Sequence, residues 1–212
     1  MNENLTAHEY LKQVSPLPTV MDEIAAYGKE TQVPILSNEA GRVLQMLVGL
    51  QQPKDILEIG CGISYSTHWM LYAPSNCHIT ALDTNLIRIG LSEKYLERSG
   101  MSKRVDLIQQ TGMAFLASTD QSFDFIFLDS TKKGYADLLD ECYKGLRPGG
   151  LLVADNLFFG GLVFRKDPTS IVKNKVGVEK IKEFSNRMAQ HEGFESYFLQ
   201  LGDGLLAARK KS

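Results

Sequence analysis

Asp55-Ile-Leu-Glu-Ile-Gly-Cys-Gly-Ile-Ser-Tyr-Ser66 is the stretch that decides the fold. Ile56, Leu57 and Ile59 form a short apolar run of the kind that is buried on both faces of a parallel sheet. Glu58 places a carboxylate near the end of that run. Gly60 and Gly62 follow at once, where the chain must turn sharply and let a ligand approach its backbone. Ser64 then opens a helical pattern that includes Thr67, Met70 and Leu71. Strand, glycine turn and helix start together form a crevice beyond the carboxyl end of a strand, where open parallel sheets bind their ligands.

Working outward, the next apolar run is His78-Ile-Thr-Ala-Leu-Asp83, and its closing acid falls where a carboxylate can accept from ribose hydroxyls. A dinucleotide fingerprint would need G-x-G-x-x-G, but the third position of that register is Tyr65, so the last glycine is missing. The E-x-G-x-G form, with Glu58 ahead of the turn, resembles the first motif of S-adenosylmethionine methyltransferases. Two other readings stay open on the glycines alone: an ordinary strand-to-helix loop, and a nicotinamide-dependent oxidoreductase using the same crevice.

A chain of 212 residues, 43% hydrophobic and without linkers, low-complexity runs or repeats, suits a single domain spanning 1–212. Within it, 1–51 reads as a helical segment packed on the sheet. A net charge of -2 and a pI near 6.1 give no general attraction to nucleic acid. Cys61, Cys77 and Cys142 are an odd number without paired spacing, which points to reduced thiols and a cytoplasmic protein. The amino-terminal residues lack a basic-then-apolar signal pattern, and no stretch is apolar enough to span a membrane.

Taken in order, Leu11 and Val14, then Val20, Ile24 and Tyr27, then Val43, Leu44, Leu47 and Leu50 recur at helical spacing, with Ser37 as an N-cap. The bend Gln32-Val-Pro-Ile-Leu36 reads either as a simple connection or as apolar cover for a bound cofactor. Strands are expected near 55–59, 78–83, 104–109, 123–129 and 150–154, and helices between them at Leu86–Arg98 and Tyr135–Gly145. Such alternation makes a parallel sheet with right-handed crossovers. A helix near Val176–His191 and a hairpin, Phe194–Leu199 and Leu205–Arg209 around Leu201-Gly-Asp-Gly204, would close the sheet with antiparallel strands.

Asp129 ends the fourth run, and Asp155-Asn156 ends the fifth. Parallel strands carry their carboxyl ends to one rim, so these groups share it with Gly60 and Gly62. Two carboxylates and an amide oxygen are hard ligands that suit Mg²⁺, whereas His8, His68, His78 and His191 are too scattered for zinc. Lys132 follows Asp129 by three positions. Beside a metal and a sulfonium, its amine could be held neutral and take a hydroxyl proton. Lys133 illustrates the other reading, a solvated lysine at a helix start. Phe158 and Phe159 fit an acceptor wall and a loop anchor equally well, in a segment of 157–173 long enough to act as a lid.

Together these residues resemble the cation-dependent O-methyltransferases, the group of catechol and caffeoyl-CoA O-methyltransferases and their bacterial relatives. The likeness runs from Leu36-Ser-Asn-Glu-Ala-Gly41 through Leu57–Gly62 and Tyr65-Ser66 to Gly202-Asp-Gly204. It is most specific in Asp129-x-x-Lys132-x-x-Tyr135, Val153-Ala-Asp-Asn156 and Gly160-Gly161. The resemblance implies a class I methyltransferase fold: a mostly parallel seven-stranded α/β sheet, Rossmann-like, with amino-terminal helices and a carboxyl-terminal antiparallel hairpin. It implies that Asp129, Asp155 and Asn156 hold Mg²⁺ (or Mn²⁺ or Ca²⁺) and that Lys132 is the catalytic base. Glu58, Gly60, Gly62, Tyr65, Ser66, Asp83, Ala114 and Asp129 would then bind S-adenosylmethionine. The expected acceptor is a small catechol-like aromatic, and the expected assembly a homodimer.

The chain departs from the family in two places. It has Gly112-Met-Ala114 where family members often carry an acid after the third strand, and Phe158-Phe159 where they often show a tryptophan. Its short amino-terminal segment fits a CoA-ester acceptor less well. Some bacterial relatives methylate a hydroxylated uridine in tRNA. Lys103, Arg104, Arg165, Lys166, Lys173 and Lys175 read either as a basic rim that this acceptor would use or as scattered charges on a solvated surface.

Overall fold

The computed structural model describes residues 6–165 and 174–212. Three helices lead: α1 (Ala7–Val14), α2 (Thr19–Thr31) and α3 (Asn38–Gln51). Thr6 and Glu9 close a reciprocal capping box on α1, and the Ser37 hydroxyl accepts from the Ala40 N–H at 3.2 Å, as its N-cap position predicts. The alternating part follows as β1 (Asp55–Ile59), α4 (Tyr65–Leu71), β2 (His78–Asp83), α5 (Leu86–Arg98), β3 (Val105–Gln109), α6 (Gly112–Ser118), β4 (Phe123–Leu128), α7 (Tyr135–Gly145) and β5 (Leu146–Ala154). α8 (Lys175–Gln190), β6 (Phe194–Leu199) and β7 (Leu205–Lys210) complete the chain.

The strands form one seven-stranded sheet in the order β3-β2-β1-β4-β5-β7-β6, parallel from β3 to β5 and antiparallel where β7 meets β5 and β6. Alternate residues of the strands feed two separate cores, as the two-residue period of a strand requires. Ile56, Phe125, Phe127 and Val153 face α2 to α5, while Leu57, Ile126, Leu128 and Leu152 face α6 to α8. α1, whose Leu11 and Val14 are exposed, contributes no described residue to this core, while α2 and α3 lie over it. Trp69 pins them there, because even a methyl group on Gly41 would collide with its indole.

Some boundaries differ from the sequence reading. β5 starts at Leu146 rather than near 150, running through Arg147-Pro-Gly-Gly150. The register against β4 shifts between Phe123 and Phe125, and Gly149 takes a left-handed φ of 76° there, so the strand absorbs those residues as an irregularity. Arg104 lies in a 3-10 turn ahead of β3 instead of opening it. Ser64 stands at the N-cap of α4 with φ 64°, but its hydroxyl donates to the Ile63 carbonyl and does not cap the helix. Among the described residues, no helix is long and apolar enough to cross a membrane.

Candidate active site

A cavity of about 850 Å³ opens beyond the carboxyl ends of β1, β2 and β4. Its floor is the glycine turn, whose shape is dictated by contact. Gly60 adopts φ 99°, and a Cβ on it would strike the carbonyl of Asp129, so only glycine lets β1 and β4 approach this closely. The N–H groups of Gly60 and Cys61 both donate to the Leu82 carbonyl, at 2.8 and 2.9 Å. Asp83 braces the far side. One of its carboxylate oxygens accepts from the Gly62 N–H at 3.0 Å and the other from the Asn85 N–H at 2.8 Å, which fixes the side chain at the cavity edge and leaves lone pairs for ligand hydroxyls.

Of the expected cofactor residues, Gly60, Gly62, Tyr65, Ser66, Asp83 and Asp129 line this cavity. Glu58 and Ala114 do not. Glu58 is fully buried under the turn, where the hydroxyls of Ser66 and Thr67 donate to its two oxygens at 2.5 and 2.6 Å. Burial pushes its carboxyl up to about 7 despite those hydroxyls, and nearby Asp129 and Asp83 add to the rise. Glu58 reaches the cavity only through Ser66. The Ala114 N–H is taken by the Thr111 hydroxyl, an N-cap contact on α6, and it is Gly112 and Met113 that face the cavity.

The sequence did not single out Thr84, Arg88, Gln110, Thr111, Asn174 or Gly177, which also line the space. Arg88 had one available signal, its place one turn into the helix that follows Asp83. Pro34, Ile35 and Leu36 form another wall, so the bend before α3 is cavity lining rather than a bare connection. Tyr65, which lines the cavity, donates to the Asn38 side-chain oxygen at 2.8 Å and ties that wall to α4.

At the opposite end, Asp129, Lys132 and Asn156 converge on the cavity, with Asp155 just behind and only 3% exposed. The Lys132 amine lies 3.1 Å from an Asp129 carboxylate oxygen, 3.1 Å from the Ser130 carbonyl and 2.7 Å from the Tyr135 hydroxyl. Tyr135 is completely buried. Its hydroxyl sits 3.0 Å from the carbonyls of both Leu128 and Asp155, so one phenol joins the tips of β4 and β5. Burial, and then the charges of Asp129 and Asp155, hold that phenol well above its usual range, so it stays neutral.

Asp155 carries the test of a metal. Its Oδ1 is buried without a hydrogen-bond partner, and burial together with Asp129 pushes the carboxyl up to about 7. An orphaned carboxylate oxygen beside a second carboxylate and the amide of Asn156 fits a hard divalent cation, which would take the lone pair that no donor takes. Among the described residues no group of three or more His, Cys, Asp or Glu side chains could hold a metal, so a cation here would have no more than the two carboxylates and the Asn156 amide to hold it. That is too few for a closed cage and leaves places for water and an acceptor.

The residues of the expected basic rim do not share one face. Lys103 and Arg104 precede β3, at the amino ends of the strands, and Arg104 points inward, donating to the carbonyls of Leu71, Ser75 and Cys77. Arg165 and Lys175 lie after the carboxyl ends of the strands, and Lys166 and Lys173 fall outside the described residues.

The sheet order, the closing antiparallel hairpin and a glycine turn beneath a nucleoside-type crevice define the class I S-adenosylmethionine methyltransferase fold. A family model described as O-methyltransferase matches residues 7–211, so the chain belongs to the O-methyltransferase family and is an enzyme of methyl transfer to oxygen. Among curated relatives, it is 28% identical to a catechol O-methyltransferase of Niastella koreensis over 78% of this chain and 75% of that protein. It is 25% identical to a caffeoyl-CoA O-methyltransferase of Populus kitakamiensis over 96% of this chain and 87% of that one. An O-methyltransferase from Bacillus cereus, solved in complex with SAH, superposes with a TM-score of 0.82 at 25% identity, covering 95% of this chain and 96% of the other. The oxidoreductase alternative is set aside by the family match.

Proposed function

We propose that this enzyme transfers the methyl group of S-adenosylmethionine to one hydroxyl of a small aromatic acceptor bearing two adjacent hydroxyls, with a divalent cation, Mg²⁺ or a similar ion, at Asp129, Asp155 and Asn156. The observation that carries the reading is the buried, partnerless oxygen of Asp155 beside Asp129 at the end of the cavity where Lys132 stands. Bound there, S-adenosylmethionine would supply a methyl group on a positively charged sulfur, and the cation Lewis acidity toward a pair of acceptor oxygens.

The chain's own residues do the rest. Asp83 offers a fixed acceptor to ribose hydroxyls, and the glycine turn admits the cofactor close to the backbone. Pro34, Ile35 and Leu36 exclude water along one wall. Lys132 takes the acceptor's hydroxyl proton at Nζ; Asp129, the Ser130 carbonyl and the Tyr135 hydroxyl hold that atom in place. The acceptor oxygen then bonds to the methyl carbon while the carbon–sulfur bond breaks and sulfur keeps its electron pair. Holding the two reactants in line is the main contribution such a cavity can make. Free, buried thiols at Cys61, Cys77 and Cys142 support a reducing compartment, the cytoplasm.

The test is methyl transfer from labelled S-adenosylmethionine to catechol, with excess chelator and then with Mg²⁺ restored. Activity is expected to fall and return; undiminished turnover in chelator rejects the metal role.

A further inference from the structure

The turn between β6 and β7 belongs to neither end of the cavity, yet it touches both. Gly202 packs so closely on the N-cap of α3 that a Cβ there would lie 2.7 Å from the Ser37 hydroxyl, directly after the Pro34–Leu36 wall. On its other side the turn grips the loop that follows Asn156. The Leu157 N–H donates to the Gly204 carbonyl at 3.0 Å, the Phe158 N–H to the Asp203 carbonyl at 2.8 Å, and the Gly160 N–H to both carboxylate oxygens of Asp203 at 2.9 Å.

That loop needs holding. Asn156 and Phe159, the two residues it sends to the cavity, have φ of 60° and 48°, and Gly160 and Gly161 follow at 61° and 77°. Left-handed backbone at non-glycine residues is unfavourable and persists only where surrounding contacts impose it. The carboxylate of Asp203 supplies a charged contact among the bonds that impose it here, and a hydrogen bond to a charged group is stronger than a neutral one.

We propose that Asp203 is a positioning residue for the acceptor side of the cavity: through the Gly160 N–H it holds the loop in the left-handed course that presents Asn156 and Phe159. This rests on the O-methyltransferase reading, with Asn156 as a metal-side group. Asp203 does not line the cavity itself; it holds the loop, and its charge is also felt at Asp155 and Tyr135.

The experiment compares wild type with Asp203→Ala and Asp203→Asn in full-length protein. It reads Mn²⁺ binding, S-adenosylhomocysteine binding in chelator, and KM and kcat for catechol. In Asp203→Ala, Mn²⁺ affinity is expected to fall about tenfold to a hundredfold, the loss typical when a group supporting a ligand is removed. The KM for catechol should rise by about tenfold, more than kcat falls, with S-adenosylhomocysteine affinity unchanged. Asp203→Asn keeps one oxygen to accept from Gly160 and should recover part of both losses while remaining measurably below wild type. Wild-type Mn²⁺ affinity and catechol KM in Asp203→Ala overturn the proposal, as does a parallel loss of S-adenosylhomocysteine binding, which would mark a general loosening. If Asp203→Ala does not fold, wild-type values in Asp203→Asn overturn it equally. A wild-type protein that binds S-adenosylhomocysteine but neither Mn²⁺ nor catechol defeats the metal and acceptor reading itself, and a wild type that binds none of them defeats the methyltransferase reading.

Discussion

The two ends of the cavity are built by different means. The cofactor end is made of backbone: Gly60, Cys61 and Gly62 lock onto β2 through N–H bonds to the Leu82 carbonyl and the Asp83 carboxylate, and the shape is set by what glycine alone permits. The acceptor end is made of side chains. Asp129, Lys132, Tyr135 and Asp155 hold one another, and a loop of left-handed residues is fastened from outside by Asp203. A backbone-built site tolerates few substitutions and is specific for one shape of ligand. A side-chain site can be retuned residue by residue, which suits an enzyme class whose members share a methyl donor and differ in acceptor.

The most damaging way to break this contrast is Gly60→Ala, because it strikes both ends. The added methyl would meet the Asp129 carbonyl on a backbone already at φ 99°, so a loss of about 3 kcal/mol or more in folding stability is expected, together with loss of S-adenosylhomocysteine binding. Denaturant unfolding and calorimetry read the two effects, and a variant that binds the cofactor product normally would contradict the contact. Asp155→Ala should separate the ends instead. Turnover is expected to fall by about a thousandfold, as loss of the proposed cation's charge stabilisation would imply, while S-adenosylhomocysteine still binds. Equal loss of both would place Asp155 on the cofactor.

Glu58→Gln sharpens the contrast through pH. The folded-state carboxyl is raised from 4.5 to about 7, so the folded protein binds its proton more tightly than the unfolded chain does. The group's contribution to stability is full below about pH 4.5 and is lost as pH rises through about 7. The amide cannot ionise, so the variant should gain on wild type as pH increases from 4.5 to 8, with a ceiling of about 3 kcal/mol for the whole shift. Melting curves of both proteins across that range provide the check, and a difference that does not vary with pH would refute it. The smallest effect is expected from Tyr135→Phe. It removes the hydroxyl bridge between the Lys132 amine and the tips of β4 and β5, at a cost of about 1–2 kcal/mol in stability and roughly tenfold in kcat, with cofactor affinity unchanged.

Features that follow from strand direction and glycine chemistry were legible in the sequence. The turn at Gly60 and Gly62, the acid at Asp83 and the gathering of Asp129, Lys132 and Asn156 on one rim all depend on parallel strands ending together, and the alternation of elements reveals that. Contacts made by chain segments distant in sequence were not legible. Glu58 has the spacing of a ligand residue, yet Ser66 and Thr67 turn back from α4 and enclose it, which only the packed turn shows. Asp203 reads as an ordinary hairpin acid until the loop after Asn156 is seen against it. The early start of β5 was hidden because Pro148, Gly149 and Gly150 carry turn chemistry that the sheet overrides. Arg104 counted as surface charge in the sequence and is instead a brace for three carbonyls.

The space at Gly60, too small for even a methyl group beside the carbonyl of Asp129, joins the two halves of the cavity. The same residue whose side chain faces the acceptor end has its main chain pressed against the floor of the cofactor end, with no compressible side chain between them. Any displacement of that floor would meet the Asp129 main chain with no side chain to absorb it, which ties the geometry of the carboxylate at one end to the seat of the ligand at the other.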